Sequence, residues 1–131
     1  MKRYYLLIIL SVLALCTACD KVTTPALLGK WQLKTVEKNG VETAVDTVWY
    51  NFQSESVFLL QIYVPQRDNY LFFFGLRRQA ENDLSIRLES DEGIGYSDWE
   101  GRERLFTIEK LDKKRLTLRS GEGYRYSFIK F

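Results

Sequence analysis

From residue 28 onward the sequence repeats one device: a short run with strand periodicity, then a turn, then another run. Residues 30–38 place Trp31, Leu33 and Thr35 on one side and end at Asn39-Gly40, a dipeptide suited to the positive φ angles of a two-residue hairpin. Residues 47–53 form a second run. Residues 57–64 form a third, apolar on both faces and stopped by Pro65. The segment 65–69 is rich in turn formers, and 70–78 carries Phe72, Phe73 and Phe74. Leu84, Ile86 and Leu88 then alternate with Ser85, Arg87 and Glu89, a period of two that marks a half-buried strand. Three further runs, 104–111, 115–119 and 124–131, are separated by Asp112-Lys113-Lys114 and Gly121-Glu122-Gly123. Nothing after residue 28 sustains a helical period.

Eight consecutive strands joined by short turns make an antiparallel meander. An open meander exposes two edges to intermolecular pairing, and closure removes both. The expected fold is therefore all-β: an eight-stranded antiparallel up-and-down barrel. Eight strands enclose an interior that side chains just fill, or that holds one small ligand. The one long connection is 91–101, which carries Tyr96 and Trp99 among three glycines. On a rigid barrel such a loop is the natural lid or partner-contact element.

The first residues belong to a different class. Met1-Lys2-Arg3 is basic, 4–15 is an apolar run too short to span a bilayer comfortably, and Thr17-Ala18 precede Cys19. This order resembles a lipoprotein signal, with Cys16 standing where the pattern usually has leucine. An ordinary secretory signal and an uncleaved anchor are the other readings of such a run. Lipidation implies a cleaved signal at 1–18, a lipidated Cys19 with its tether over 19–27, and a barrel domain over 28–131. The expected address is the cell envelope, membrane-anchored at the outer membrane, with the leaflet left open.

Cleavage removes Cys16, and lipid blocks Cys19, so the mature chain keeps no thiol for a disulfide. Without Lys2 and Arg3 it carries 17 basic and 17 acidic residues. A neutral domain lacks the basic surplus that nucleic-acid binding needs, so no nucleic-acid partner is expected. The 131 residues contain no histidine, which removes the commonest general base and zinc ligand. With no free thiol and no phosphate-cradling loop, neither an enzyme nor a cofactor is expected. The carboxylates Asp91, Glu92, Asp98, Glu100 and Glu103 match no calcium-loop spacing and read as a solvated acidic loop relieved by Arg102 and Arg104. No metal is expected there.

Gly29-Lys30-Trp31 at the start of the first strand, Asn39-Gly40 after it, and Tyr50-Asn51-Phe52-Gln53 in the second resemble the short lipocalin-like, calycin-type lipoproteins of Bacteroidetes. The resemblance covers residues 28–131. It implies a barrel whose Trp31 plugs the closed end beneath a basic side chain of the last strand, which offers Arg125 and Lys130; Arg125 is the choice made here. It also implies a lipid-anchored binder of a small apolar ligand, lined by Tyr50, Phe52, Phe72, Phe74, Tyr126 and Phe128. The alternative is a solid barrel that acts as an inhibitor or accessory subunit of an envelope complex through Tyr96 and Trp99. Full-length lipocalins are longer, with a terminal helix and often a disulfide; this chain has neither. Because both faces of 57–64 and 70–76 are apolar, an exposed patch for a partner or the membrane is a further reading.

Overall fold

A computed structural model describes residues 26–131; the expected signal peptide, Cys19 and most of the expected tether lie outside the described residues. Leu27, assigned above to the end of the tether, is 2% exposed and packs in the core.

The first strand, β1 (Gly29–Lys38), turns at Asn39 and Gly40, whose φ angles of 53° and 79° are those the dipeptide promised. It runs directly into β2 (Val41–Ala44), pairing Lys38 with Val41. The sequence reading has no counterpart for β2. All four of its residues are exposed, so it carries no apolar alternation to read. The strand β3 (Val48–Phe52) then pairs with the first half of β1, on the same edge that β2 borders further along.

The remaining strands are β4 (Val57–Val64), β5 (Asn69–Ala80), β6 (Asp83–Leu88), β7 (Glu103–Leu111), β8 (Arg115–Ser120) and β9 (Arg125–Lys130). Each is antiparallel to its neighbour. β9 returns to β1, from Trp31 opposite Lys130 to Glu37 opposite Arg125, and closes the cylinder. β1 and β3–β9 thus form the expected eight-stranded barrel, with β2 a short extension.

Inward positions fill the interior. Trp31, Tyr50, Phe52, Phe58, Leu60, Leu84, Ile86, Leu88, Leu116, Leu118 and Tyr126 are each less than 2% exposed. Two features redirect side chains from their expected faces. A bulge between Leu33 and Thr35 adds a residue to β1, so that Val36, not Thr35, joins Trp31 and Leu33 in the core. In β5, Gly75 lies opposite both Phe58 and Leu88, which point inward, and directly opposed residues share a face. Phe73 and Arg77 therefore turn in. Phe72 and Phe74, expected in the interior, point out and are 53% and 52% exposed.

Arg77 is 5% exposed despite its charge. Its Nε donates to the Ser54 carbonyl at 2.8 Å, and its guanidinium lies 5.3 Å from the centre of the Phe52 ring. Burial lowers its pKa from the ordinary arginine value.

Candidate functional site

The two ends of the barrel are built differently. At the end where the chain enters, Trp31 is wholly buried and its indole N–H donates to the Leu27 carbonyl at 2.9 Å. The cation above its ring is Lys130, with Nζ 4.6 Å from the centroid and donating to the Leu28 carbonyl. Gly29 has a φ of +116°, and a Cβ there would collide with the Lys130 ammonium group. The positive φ is what calls for glycine in Gly-x-Trp, since the flexible tip of Lys130 could shift aside. Arg125, the expected partner of Trp31, is on the other face of β9. It pairs with Glu109 at 3.1 Å and Glu37 at 3.4 Å on the outer surface. The period of two explains the correction. Tyr126 and Phe128 point inward, so Lys130 does as well, and Arg125 cannot.

At the opposite end the chain from β6 to β7 folds over the mouth. Trp99 turns inward to 3% exposure, its N–H donating to the Tyr50 hydroxyl at 3.0 Å and its ring stacked 6.2 Å from Phe58. It is a stopper and not an exposed contact. Tyr96 stays 42% exposed and stacks on Phe73 at 6.1 Å. The adjoining Asp98 anchors the loop. Its carboxylate accepts from Arg104 at 3.0 Å and from the Tyr126 hydroxyl, and pairs with Lys38 at 3.4 Å. Arg104 also donates to the Tyr126 hydroxyl and lies 4.6 Å over that ring.

The charges in this clamp sustain one another. Burial opposes the Asp98 carboxylate, but Arg104, the Tyr126 hydrogen bond and Lys38 outweigh it and hold its pKa below the usual value. Burial likewise opposes the Arg104 charge and is outweighed by the Asp98 carboxylate and the hydrogen bond to Tyr126. Burial pushes the Tyr50 hydroxyl up to about 12 and raises Tyr126 as well, so both stay protonated at neutral pH, Tyr50 accepting from Trp99 and Tyr126 donating to Asp98. Sequence reading treated Arg104 only as relief for an acidic loop. Its reach to Tyr126 depends on barrel closure, which no local spacing reveals. Asp91, at the start of the loop, is tied to Arg102 at 2.8 Å.

Between the clamp and the β1–β2 hairpin lies a pocket of about 310 Å³. Leu33, Val36, Val45, Val48, Tyr50, Leu60 and Trp99 give it apolar walls, and Lys38, Thr43, Tyr96, Ser97 and Asp98 complete its lining. Of the six expected ligand residues, only Tyr50 borders this space. Phe52 and Phe128 are core, Tyr126 lies under the clamp, and Phe72 and Phe74 are on the outer wall. Val45, just after β2, Val48 at the start of β3 and the loop residues 96–99 take their place. A wider cleft of about 770 Å³ at the other end sets Leu27, Ile108 and Leu111 among Glu55, Arg77, Glu81, Glu109 and Lys110, a more polar setting than the mouth pocket and less suited to an apolar guest.

A family model described as a lipocalin-like domain matches residues 13–131. No curated protein matches. Among solved structures, a lipocalin-like protein from Bacteroides uniformis ATCC 8492 superposes with a TM-score of 0.72 at 29% identity, covering 81% of this chain and 99% of that one. An uncharacterized protein from Bacteroides eggerthii DSM 20697 gives 0.67 at 28% identity, covering 79% and 98%. Closed barrel, Gly-x-Trp seal and family match agree: this chain belongs to the family of lipocalin-like domains.

Proposed function

We propose that this protein is a non-enzymatic, lipid-anchored envelope module that holds a small apolar ligand at the mouth of its barrel. The observation that carries the reading is the mouth pocket, an apolar recess of about 310 Å³ with a few polar groups on one side. That combination suits a compact ligand with an apolar body and a single polar end. The deep interior is filled by aromatic and aliphatic side chains, so the site is shallow and the ligand small. The anchor rests on the signal-like residues 1–18 and Cys19, and the non-enzymatic character on the lack of histidine and of a free thiol in the mature chain.

Titration of the full chain with N-phenyl-1-naphthylamine, an apolar fluorophore, tests the reading. Saturable binding is expected, and Val48→Trp, which fills the recess from its wall, weakens it about tenfold, the effect of losing roughly 1.4 kcal/mol of contact. No binding, or binding indifferent to Val48→Trp, sinks the proposal. A protein-contact role for the 91–101 loop is the second reading. It rests on exposed Tyr96, since Trp99 is turned into the barrel.

A further inference from the structure

The outer surface of the barrel has two unlike halves. Around β7–β9 it is polar: Glu109 binds Arg119 and Arg125, and Arg125 reaches Glu37. Apolar side chains there stand singly, as Leu105 does opposite Ser85. Across β3–β5 the rule that water-facing positions are polar is reversed. Tyr70, Phe72, Phe74 and Leu76 form one outward row, each between 47% and 57% exposed. Leu59 lies opposite Phe74, and Tyr63 opposite Tyr70. On β3, Trp49 is itself buried at 7% exposure and backs the patch, 5.8 Å from Tyr70 and 6.0 Å from the exposed Phe131. A contiguous apolar patch on one wall is a contact surface.

From these observations, and resting on the lipid-anchor reading above, we infer that the β3–β5 wall lies against the bilayer that holds Cys19. Reach is the first argument. Seven residue steps separate Cys19 from Ala26 and span at most about 25 Å when fully extended. An anchored barrel therefore stays within one barrel width of the lipid. Chemistry is the second. Tyr70 suits the headgroup level of a membrane, where its ring and polar tip are both accommodated, and the exposed Phe72, Phe74 and Leu76 beside it suit the apolar layer just beneath. Lys30 has its Nζ 4.7 Å from the Phe131 ring and 5.6 Å from Trp49, placed to meet a lipid phosphate. The polar β7–β9 wall then faces water, and the mouth opens alongside the membrane surface.

The test uses the full chain, reconstituted in phosphatidylcholine–phosphatidylglycerol vesicles whose acyl chains are brominated close to the headgroup. Phe74→Trp reports the patch. Thr117→Trp reports the outer face of β8, four strands away from β4 around the barrel. Added fluorescence at position 74 should be quenched about threefold more than at position 117, as expected for a ring at the interface and one in water. Leu76→Trp repeats the measurement on the same row if Phe74→Trp fails to fold. Equal quenching at the two walls overturns the inference while leaving the anchor standing. A blue shift at position 74 without quenching, accompanied by self-association, assigns the wall to a second copy and also overturns it. Mass spectrometry showing Cys19 without lipid removes the anchoring reading itself, and this inference with it.

Discussion

The two ends of the barrel solve one problem with different materials. At the chain-entry end the stopper is Trp31, a residue of β1 itself, hydrogen-bonded to Leu27 four residues before it and covered by Lys130. At the mouth the stopper is Trp99, carried by a loop, bonded to Tyr50 and held through its neighbour Asp98, on which Arg104, Tyr126 and Lys38 converge from three strands. A stopper that belongs to a strand cannot leave without unmaking the sheet. One on a loop can leave once its charged clamp loosens, and the recess beside it at the mouth has apolar walls, whereas charged residues border much of the cleft at the entry end. Permanence at one end and access at the other follow from which kind of segment supplies the tryptophan.

The largest effect should come from Trp31→Ala. The side chain is fully buried, and deleting a buried tryptophan costs about 3–5 kcal/mol. That is a large share of the roughly 5–15 kcal/mol that holds a domain of this size together. Urea unfolding followed by circular dichroism should show the midpoint collapse. A loss under about 1 kcal/mol would mean that the entry-end seal is not structural, and the contrast between the ends would disappear.

Arg104→Met ranks next. It leaves Asp98 and the Tyr126 hydroxyl without their shared donor at a site where Arg104 is 6% exposed. Breaking a buried pair costs about 3–5 kcal/mol, but Asp98 is one-third exposed and water recovers part of the loss, so about 2 kcal/mol is expected. The distinguishing readout is hydrogen exchange. Residues 91–101 should lose protection while β3, β4 and β8 keep theirs. Uniform loss across all strands would show the mouth clamp to be as structural as the entry-end seal.

Acid should loosen the same clamp. The folded-state pKa of Asp98 is held below the ordinary carboxylate value, so its contribution to stability is complete above the unfolded pKa of about 4 and is lost as pH falls through the folded one. Asp98→Asn removes that contribution at every pH and should flatten part of the fall in stability below about pH 4. If stability falls just as steeply in the variant, the clamp does not respond to protons, and other paired carboxylates such as Glu109 carry the acid response.

What the sequence disclosed follows the same division. Turns and strand order were legible because each is set by a few adjacent residues: Asn39-Gly40 for the hairpin, Leu84, Ile86 and Leu88 for a half-buried strand. The inward face of β5 was not, because Leu71 and Phe73 compete with Phe72 and Phe74 and only pairing across Gly75 decides between them. The bulge in β1 was hidden for the same reason, and β2 because it has no buried face. The mouth clamp joins residues 38, 98, 104 and 126, which barrel closure alone brings together.

The smallest effect tests one place where local reasoning sufficed but was misapplied. With Tyr126 and Phe128 inward, Lys130 is the β9 residue that must reach Trp31, and Arg125 must face out. Lys130→Met keeps most of the aliphatic cover and removes the charge, which should cost about 0.5–1 kcal/mol, the worth of one cation on an indole face. Arg125→Met deletes contacts to two carboxylates, yet its side chain is 48% exposed and such pairs are screened, so the unfolding midpoint should stay where it is. Raising the salt concentration separates the two further. It should erase any residual Arg125 effect and leave that of Lys130, whose ammonium is held against the ring and the Leu28 carbonyl. Equal and salt-sensitive losses in both variants would mean that Lys130 is another surface charge and that Trp31 seals the barrel unaided.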